Sequence, residues 1–309
     1  MKNKLEMLSE LTGSGKSTVS KAIRHCFGVD PLTREQILMT ARQVGVRSDD
    51  RYDCYLIFPD RPIGFWTRIV EQFCYECAGL RVKYNVYPPD SAYVLSDYLV
   101  EAKNCGAGII LCCARPDERQ YELLSDAARH TPIIFLFDRV DIVNTFVIGS
   151  DAYADGKAVR KRASLKENAR VLILHDGSCL SLERVRGFTG NGGTDAVCIT
   201  LPESSTAAEI ARAVSSAKIA RCDAVYTASH QIRETALAAL KLGFGKDCAV
   251  LGHDYAEAAF VHGEVNGIHT LALCPDAEGI CRAASDALIK YTHTRNLPDR
   301  KHTVIPSER

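Results

Sequence analysis

A chain of 309 residues, 46% apolar and 25% charged, has room for two or three folding units and the composition of a globular protein, not of a disordered or fibrous one. Lys+Arg and Asp+Glu balance at 38 each, so total charge singles out no partner. No apolar run approaches the roughly 18 residues of a membrane span, and the opening MKNKLEMLSE is too polar for a secretory leader; the expectation is a cytoplasmic chain whose 13 cysteines are reduced thiols.

The first 47 residues hold eight cations (Lys2, Lys4, Lys16, Lys21, Arg24, Arg34, Arg42, Arg47) against four acids (Glu6, Glu10, Asp30, Glu35), a basic head on an acidic body. Such a head suggests a polyanion partner. Its centre, Gly13-Ser14-Gly15-Lys16-Ser17-Thr18, is close to a nucleotide phosphate loop. That motif needs a glycine five positions before Gly15, where Glu10 stands, and a buried strand ahead of it. Residues 2–11 instead space Leu5, Leu8 and Leu11 for one helix face. The segment reads as a helix over 4–12, a tight turn over 13–15 and a second helix over 16–24 with Val19 and Ile23 turned inward. A third helix starts at Asp30-Pro31, a cap acceptor followed by proline in the first helical position. Ile37, Leu38, Ala41 and Val44 form its apolar stripe and Gly45 ends it. Two short helices about a glycine turn, closed by a third, predict a helix-turn-helix head over 1–47 whose basic, hydroxyl-rich second helix suits a major groove. The plainer alternative is a solvated helical bundle without a ligand.

A short linker over 48–53 leads into a body over 54–309 with a different rhythm. Strand-like runs fall at 54–58, 80–87, 108–113, 132–137, 146–150, 170–175, 196–201, 223–228, 248–253 and 269–274, with amphipathic segments such as 207–218 and 233–242 between them. Strand-helix alternation predicts parallel sheets covered on both faces. Ten strands suit two doubly wound lobes, one over 54–142 and 275–290 and the other over 146–272, with a ligand cleft between them at the carboxyl ends of strands. Cys74-Tyr75-Glu76-Cys77 is a lone CxxC with no second pair at zinc spacing, so neither metal nor cofactor is expected. A sugar offers apolar ring faces and a belt of hydroxyls. Phe65 and Trp66, the latter the only tryptophan, are candidates to stack on such a ring. Asp117 or Glu118, after the 108–113 run, and His230 and His253 are candidates for its hydroxyls, a structural role being the commoner fate of such histidines. A glycosidase needs two carboxylates set across one bond. Glu118 and Asp254 would be the pair, but nothing tunes one as acid and the other as base, no nucleophile elbow or HExxH occurs, and no catalysis is expected.

The strings LSELTGSGKSTVSKAI and GVDPLTREQILMTARQVGVR resemble the head of LacI/GalR transcription regulators. The body, through PIGFWTRIVEQF, PIIFLFDRVD, VIGSDAYADGKAV, SCLSLERVRGF and KDCAVLGHDYAE taken in order, resembles the type I periplasmic sugar-binding fold that this family uses as its effector domain. The resemblance implies that Lys16, Ser17 and Lys21 face bases or phosphates, that Thr18 and Ser20 touch the DNA backbone, that Arg24 reads a phosphate or base, and that Arg34 touches the sugar-phosphate backbone. It implies Arg139, Arg184 and Asp254 as hydroxyl-binding groups, with Asp151 either fixing the crossover backbone or touching ligand. It also implies a homodimer on a palindromic operator of double-stranded DNA, with a carbohydrate effector. Two features depart from the family. The segment VRSDDRYD over 46–53 has no Leu or Ala run for a minor-groove wedge, and Asp49-Asp50 would be repelled by phosphate. The loop over 227–235 lacks the Asn-Asp of many sugar-binding relatives. The expectation is a sugar-responsive transcription regulator; the alternative is a cytoplasmic sugar-binding protein of the same fold with weakened or lost DNA binding.

Overall fold

The computed structural model describes residues 4–24, 26, 28–46, 51–59, 65–88, 91–112, 116–137, 140–166, 168–190, 195–202, 205–216, 222–229, 232, 233, 236, 248–253, 260–265, 268–294 and 302–305. The head consists of three helices, α1 (Lys4–Thr12), α2 (Lys16–Ile23) and α3 (Pro31–Gln43). Gly13 follows α1 at φ 67, a left-handed conformation that stops the helix at little cost for glycine. Thr12 Oγ1 donates to the Leu8 carbonyl and Ser9 Oγ to the Ser14 carbonyl, both at 2.7 Å, tying the turn to the helix it ends. Asp30 caps α3 by accepting from Thr33 N at 3.0 Å, with Pro31 in the first helical position. Leu8, Val19, Ala22, Val29, Ile37 and Ala41 are buried together, with Leu5, Ile23 and Val46 packed around them. Leu11 and Val44, expected on the inner faces, are exposed, because Leu11 falls in the last turn of α1 and Val44 just beyond the end of α3, past the edge of this small core.

The chain continues through β1 (Tyr52–Phe58), α4 (Phe65–Glu71), a π turn (Gln72–Glu76), β2 (Leu80–Val86), α5 (Ala92–Cys105), β3 (Gly108–Cys112), α6 (Glu118–Ala128), β4 (Ile133–Leu136) and β5 (Thr145–Ser150). These strands pair in parallel. β3 and β4 are buried along their whole length, as expected of parallel strands covered on both faces. Next come α7 (Ala152–Ala163), β6 (Arg170–His175), α8 (Cys179–Thr189), β7 (Asp195–Thr200), α9 (Ala207–Ser216), β8 (Ala224–Thr227), β9 (Ala249–His253), β10 (Phe260–Val265) and β11 (Ile268–Leu273). The last helix, α10 (Ala277–Thr294), and β12 (His302–Ile305) close the described chain. The first sheet has the order β12-β5-β4-β3-β1-β2 and the second β10-β11-β9-β8-β6-β7.

Two compact units result, one of residues 1–149 and 277–303, the other of residues 150–276 and 304–309. One expected boundary is corrected. The run over 146–150 was assigned to the second lobe, but β5 pairs with β4, Ile133 opposite Thr145, and belongs to the first sheet. A buried parallel strand has the same apolar look in either sheet, so the run itself does not say where it pairs. The second sheet also ends in an antiparallel pair, β10 with β11, beside four strands paired in parallel.

Within the first unit the head and the body come within reach of each other. Cys26, between α2 and α3, is buried; burial pushes its thiol up, and Asp53 of β1 and Cys105 at the end of α5 are near enough to act on it. α3 also touches α10. In the second unit, α7 and α8 approach closely through two glycines. A Cβ on Gly156 would stand 2.0 Å from the Arg184 carbonyl oxygen, and one on Gly187 would stand 1.9 Å from that of Tyr153. Only hydrogen fits at either crossing point.

Candidate functional site

In the first sheet the chain leaves β1 for β2 on one side and returns to β3 on the other. In the second, β6 is flanked by β7 and β8 in the same way. Such reversals open a crevice outside the carboxyl ends of the strands, where ligands of doubly wound sheets bind.

The first rim is aromatic. β1 ends on Phe58, which is buried and meets Trp66 of α4 edge-on, their ring centroids 5.9 Å apart at 79°. Trp66, half-buried, meets Phe137 beyond β4 in the same manner, at 5.4 Å and 86°. Tyr84 of β2 lies edge-on to Phe58 at 5.8 Å. Phe137 sits at φ 69, a left-handed conformation rare for a bulky aromatic, while its N–H donates to the Ile148 carbonyl at 2.8 Å. Strain of this kind is held only where surrounding structure fixes it, and it gathers at functional ends. Tyr87, past the end of β2, is 2% exposed; burial first, and the Asp117 carboxylate second, push its hydroxyl up to about 12. Asp117 is the cap of α6. It accepts from Gln120 N at 2.8 Å while its own N–H donates to Gln120 Oε1 at 3.2 Å.

The second rim is polar. β6, β7, β8 and β9 end on His175, Thr200, Thr227 and His253. His175 Nδ1 accepts from Gly177 N at 3.2 Å, which leaves the proton on Nε2 to be donated to Thr200 Oγ1 at 3.3 Å. Asp176 Oδ1 accepts from Ser178 N at 2.8 Å and from Ser181 Oγ at 2.5 Å, fixing the turn into α8. Ser178 caps that helix by accepting from Ser181 N at 3.2 Å. Arg184, one helical turn further on and buried, donates from Nη1 to the Ala228 carbonyl at 3.0 Å, just past the end of β8. Ser229 and Arg233 are buried at the same strand end. Beneath the rim, Tyr226 stacks on Phe188 at 4.0 Å and 7°. Its hydroxyl, pushed up by burial, bonds His253 Nε2 at 2.9 Å.

On the head, α2 turns Val19 and Ala22 inward. Lys16, Ser17 and Arg24 are exposed, and Thr18, Ser20 and Lys21 half-buried. Lys16 Nζ pairs with Glu6 Oε1 at 2.6 Å, and Arg24 Nε donates to the Ser20 carbonyl at 3.4 Å. A surface pair of this kind contributes roughly 0–1 kcal/mol and yields readily to a competing anion.

Several expected assignments change. Arg34 does not face outward; it is 2% exposed, its guanidinium donates to the Cys26 carbonyl, and its charge holds the passage from α2 to α3. Asp117 is occupied in capping α6. Arg184 is enclosed and supports the end of β8. His253 is fully buried and bonded to Tyr226, the structural fate weighed for it. Asp151 caps α7 by accepting from Ala154 N at 2.9 Å. Glu118 is exposed in the first turn of α6. Phe65 opens α4, but its side chain lies outside the described residues, as do Arg139, His230 and Asp254 altogether. Tyr87, Phe137, His175, Asp176, Thr200 and Thr227 at strand ends, and Ser181 in the first turn of α8, are not among the residues expected from the sequence. Among the described residues no group of three or more His, Cys, Asp or Glu is placed to hold a metal, and no helix is long and apolar enough to cross a membrane.

The paired doubly wound units define the type I periplasmic-binding-protein fold, shared by LacI-type regulators and sugar-binding proteins. Solved structures similar to this chain include the transcriptional regulator CelR in complex with cellobiose, at 19% identity and TM-score 0.63, covering 99% of this chain and 97% of that one. A glucose-galactose binding protein, GanP from Geobacillus stearothermophilus, is 15% identical with TM-score 0.63 over 84% and 98%. A LacI-family regulator from Silicibacter pomeroyi is 16% identical with TM-score 0.56 over 99% of both chains. No family model and no curated protein sequence matches.

Proposed function

We propose that this protein is a DNA-binding transcription regulator of the LacI type, cytoplasmic and homodimeric, whose affinity for a palindromic operator is set by a small carbohydrate held at the strand-end rims. The observation that carries this reading is the head. Lys16, Ser17, Thr18, Ser20 and Lys21 lie on α2 and Arg24 caps its end, while Val19 and Ala22 pack inward. Likeness to two regulators over 99% of the chain, head included, supports it. α2 then enters the major groove, with lysines and Arg24 meeting phosphates and guanine edges and the hydroxyls meeting the backbone. The aromatic rim supplies Trp66 as a face for a sugar ring, and the polar rim supplies hydroxyl partners. Arg139, His230 and Asp254 remain assigned to the ligand. No catalytic step is assigned.

The mechanism is linkage. Sugar stabilises one conformation of the body, that conformation fixes the spacing of the two heads, and DNA changes sugar affinity by the same factor, a coupling typically of about 1–3 kcal/mol. The test is a DNA titration at several salt concentrations. Affinity should fall steeply with salt and favour one palindromic site; equal binding to all sequences, or a flat salt response, refutes the reading.

A second reading, a sugar-binding protein that has lost its DNA function, is favoured by the Lys16–Glu6 pair, the enclosed Arg34 and the acidic segment over 46–53. Lys16→Ala separates the two. It should weaken DNA binding under the first reading and change nothing under the second.

A further inference from the structure

At the amino ends of the strands of the second sheet, opposite the ends that form its polar rim, two thiols meet. Cys222 stands two residues before β8 and Cys248 immediately before β9, strands that pair in parallel with Ala224 opposite Ala249. Ala249 N donates to the Asp223 carbonyl at 3.2 Å, so the two lead-in segments are already joined. The Cys222 and Cys248 sulfurs are 3.3 Å apart, and Cys248 Sγ lies 3.9 Å from the Ala249 carbonyl. A disulfide measures about 2.05 Å between sulfurs and tolerates Cα separations of about 4.4–6.8 Å. Neighbouring strands lie about 4.8 Å apart, so closure asks for a small side-chain movement and no backbone rearrangement. Cys222 is half-buried and open to a small oxidant, whereas Cys248 is buried.

The two thiols are also unlike. The S–H bond from Cys248 holds Cys222 below the ordinary thiol value, and the same bond, with burial, pushes Cys248 up. The neighbouring Asp223 carboxylate opposes ionisation of both, but its Oδ2 accepts from Arg170 N at 2.8 Å. Cys222 is thus the nucleophile of the pair and Cys248 the partner that resolves.

We propose that Cys222 and Cys248 form a redox-active dithiol that a hydroperoxide closes to a disulfide. The Cys222 thiolate attacks a peroxide oxygen, the O–O bond breaks, the departing hydroxide takes up a proton to leave as water, and Cys222 becomes a sulfenic acid. The Cys248 sulfur then attacks the Cys222 sulfur. The S–S bond forms, the S–O bond breaks, and the hydroxyl leaves with the Cys248 proton as a second water. The two sulfurs together lose two electrons and the peroxide gains them. The product ties the segment leading into β8 to the one leading into β9 across a 26-residue separation, which restricts the unfolded chain.

The test is peptide mass mapping of the reduced full chain after treatment with less than one equivalent of hydrogen peroxide and alkylation of the remaining thiols. A cross-linked Cys222–Cys248 peptide should form before the exposed Cys74, Cys105, Cys179 and Cys198 are oxidised, and the oxidised protein should melt several degrees higher than the reduced one. In Cys248→Ser a sulfenic-acid probe such as dimedone should label Cys222, while the wild type stays unlabelled there because Cys248 closes the bond first. Oxidation of the exposed cysteines ahead of this pair, or equal dimedone labelling of Cys222 in both proteins, would overturn the proposal. Should Cys248→Ser fail to fold, the order of oxidation in the wild type decides the matter alone.

Discussion

The two sheets follow the same winding but end differently. The first presents Phe58, Trp66, Tyr87 and Phe137, a rim of ring faces and edges. The second presents His175 and Thr200, with Asp176, Ser178 and Ser181 bonded among themselves, while Thr227 and His253 end their strands buried and bonded inward. A fold alone therefore does not set a site's chemistry; the residue that terminates each strand does. An aromatic rim tolerates substitution of one ring by another, whereas a polar rim holds its donors only while the helix behind it stays in place.

That contrast can be broken from the second unit first. Gly187→Ala would drive a methyl into the Tyr153 carbonyl, 1.9 Å from the new carbon, and force α8 away from α7. We expect a loss of about 3–5 kcal/mol, read as a large fall in the melting temperature. Gly190→Ala, where a Cβ would meet nothing within 4 Å but the backbone sits at φ 62 and ψ −155, should cost less, about 1–3 kcal/mol of backbone strain alone.

Next in size is an alkaline effect from the first rim. The Tyr87 hydroxyl rises from 10.0 unfolded to about 12 folded because burial disfavours its anion. The fold therefore gains from the neutral form, fully below pH 10, and loses that gain as pH climbs through 12. Burial also pushes Tyr55 and Tyr226 up, so the wild type should lose stability steeply in this window. The unfolding free energy of Tyr87→Phe, from denaturant titration, should fall less over the same range, by roughly 2 kcal/mol.

Trp66→Ala comes third and sharpens the comparison most. It removes the ring that touches both Phe58 and Phe137, and monosaccharide affinity should drop about tenfold. Trp66→Phe should recover most of it, since an aromatic face survives. The smallest expected effect is that of Ser181→Ala, which deletes the donor to Asp176 and should cost about 1 kcal/mol in chemical denaturation.

The sequence made the polar rim visible, had the ends of its runs been read. RVLILH, AVCIT, AVYT and AVLGH each close an apolar run with a histidine or threonine, and each of those residues ends a strand. Phe58 and Phe137 close theirs with another apolar residue, so nothing in one dimension separates rim from core, and the left-handed backbone of Phe137 leaves no trace in composition. Arg34 was legible. It stands three and seven residues before Ile37 and Ala41, on the face that packs inward, and family likeness outweighed periodicity in assigning it to DNA. Asp117 was legible too, since Asp117 with Gln120 is a capping pattern ahead of an apolar face. The β10–β11 pairing was signalled by Asn266-Gly267, which stands between Val265 and Ile268, paired directly across the hairpin. The three head helices and the alternation of the body followed from caps, glycines and period, which are local properties. Which sheet received residues 145–150 depended on pairing between distant segments.

The central claim is that DNA at the head and sugar at the rims share one equilibrium. It is tested most directly by titrating the best-binding monosaccharide, followed by Trp66 fluorescence, with and without saturating palindromic DNA, and by the reciprocal DNA titration with and without sugar. The account predicts a change of about 5–150-fold in sugar affinity on adding DNA, matched by the same factor in DNA affinity on adding sugar. Sugar affinity that is identical in the presence and absence of bound DNA would contradict it.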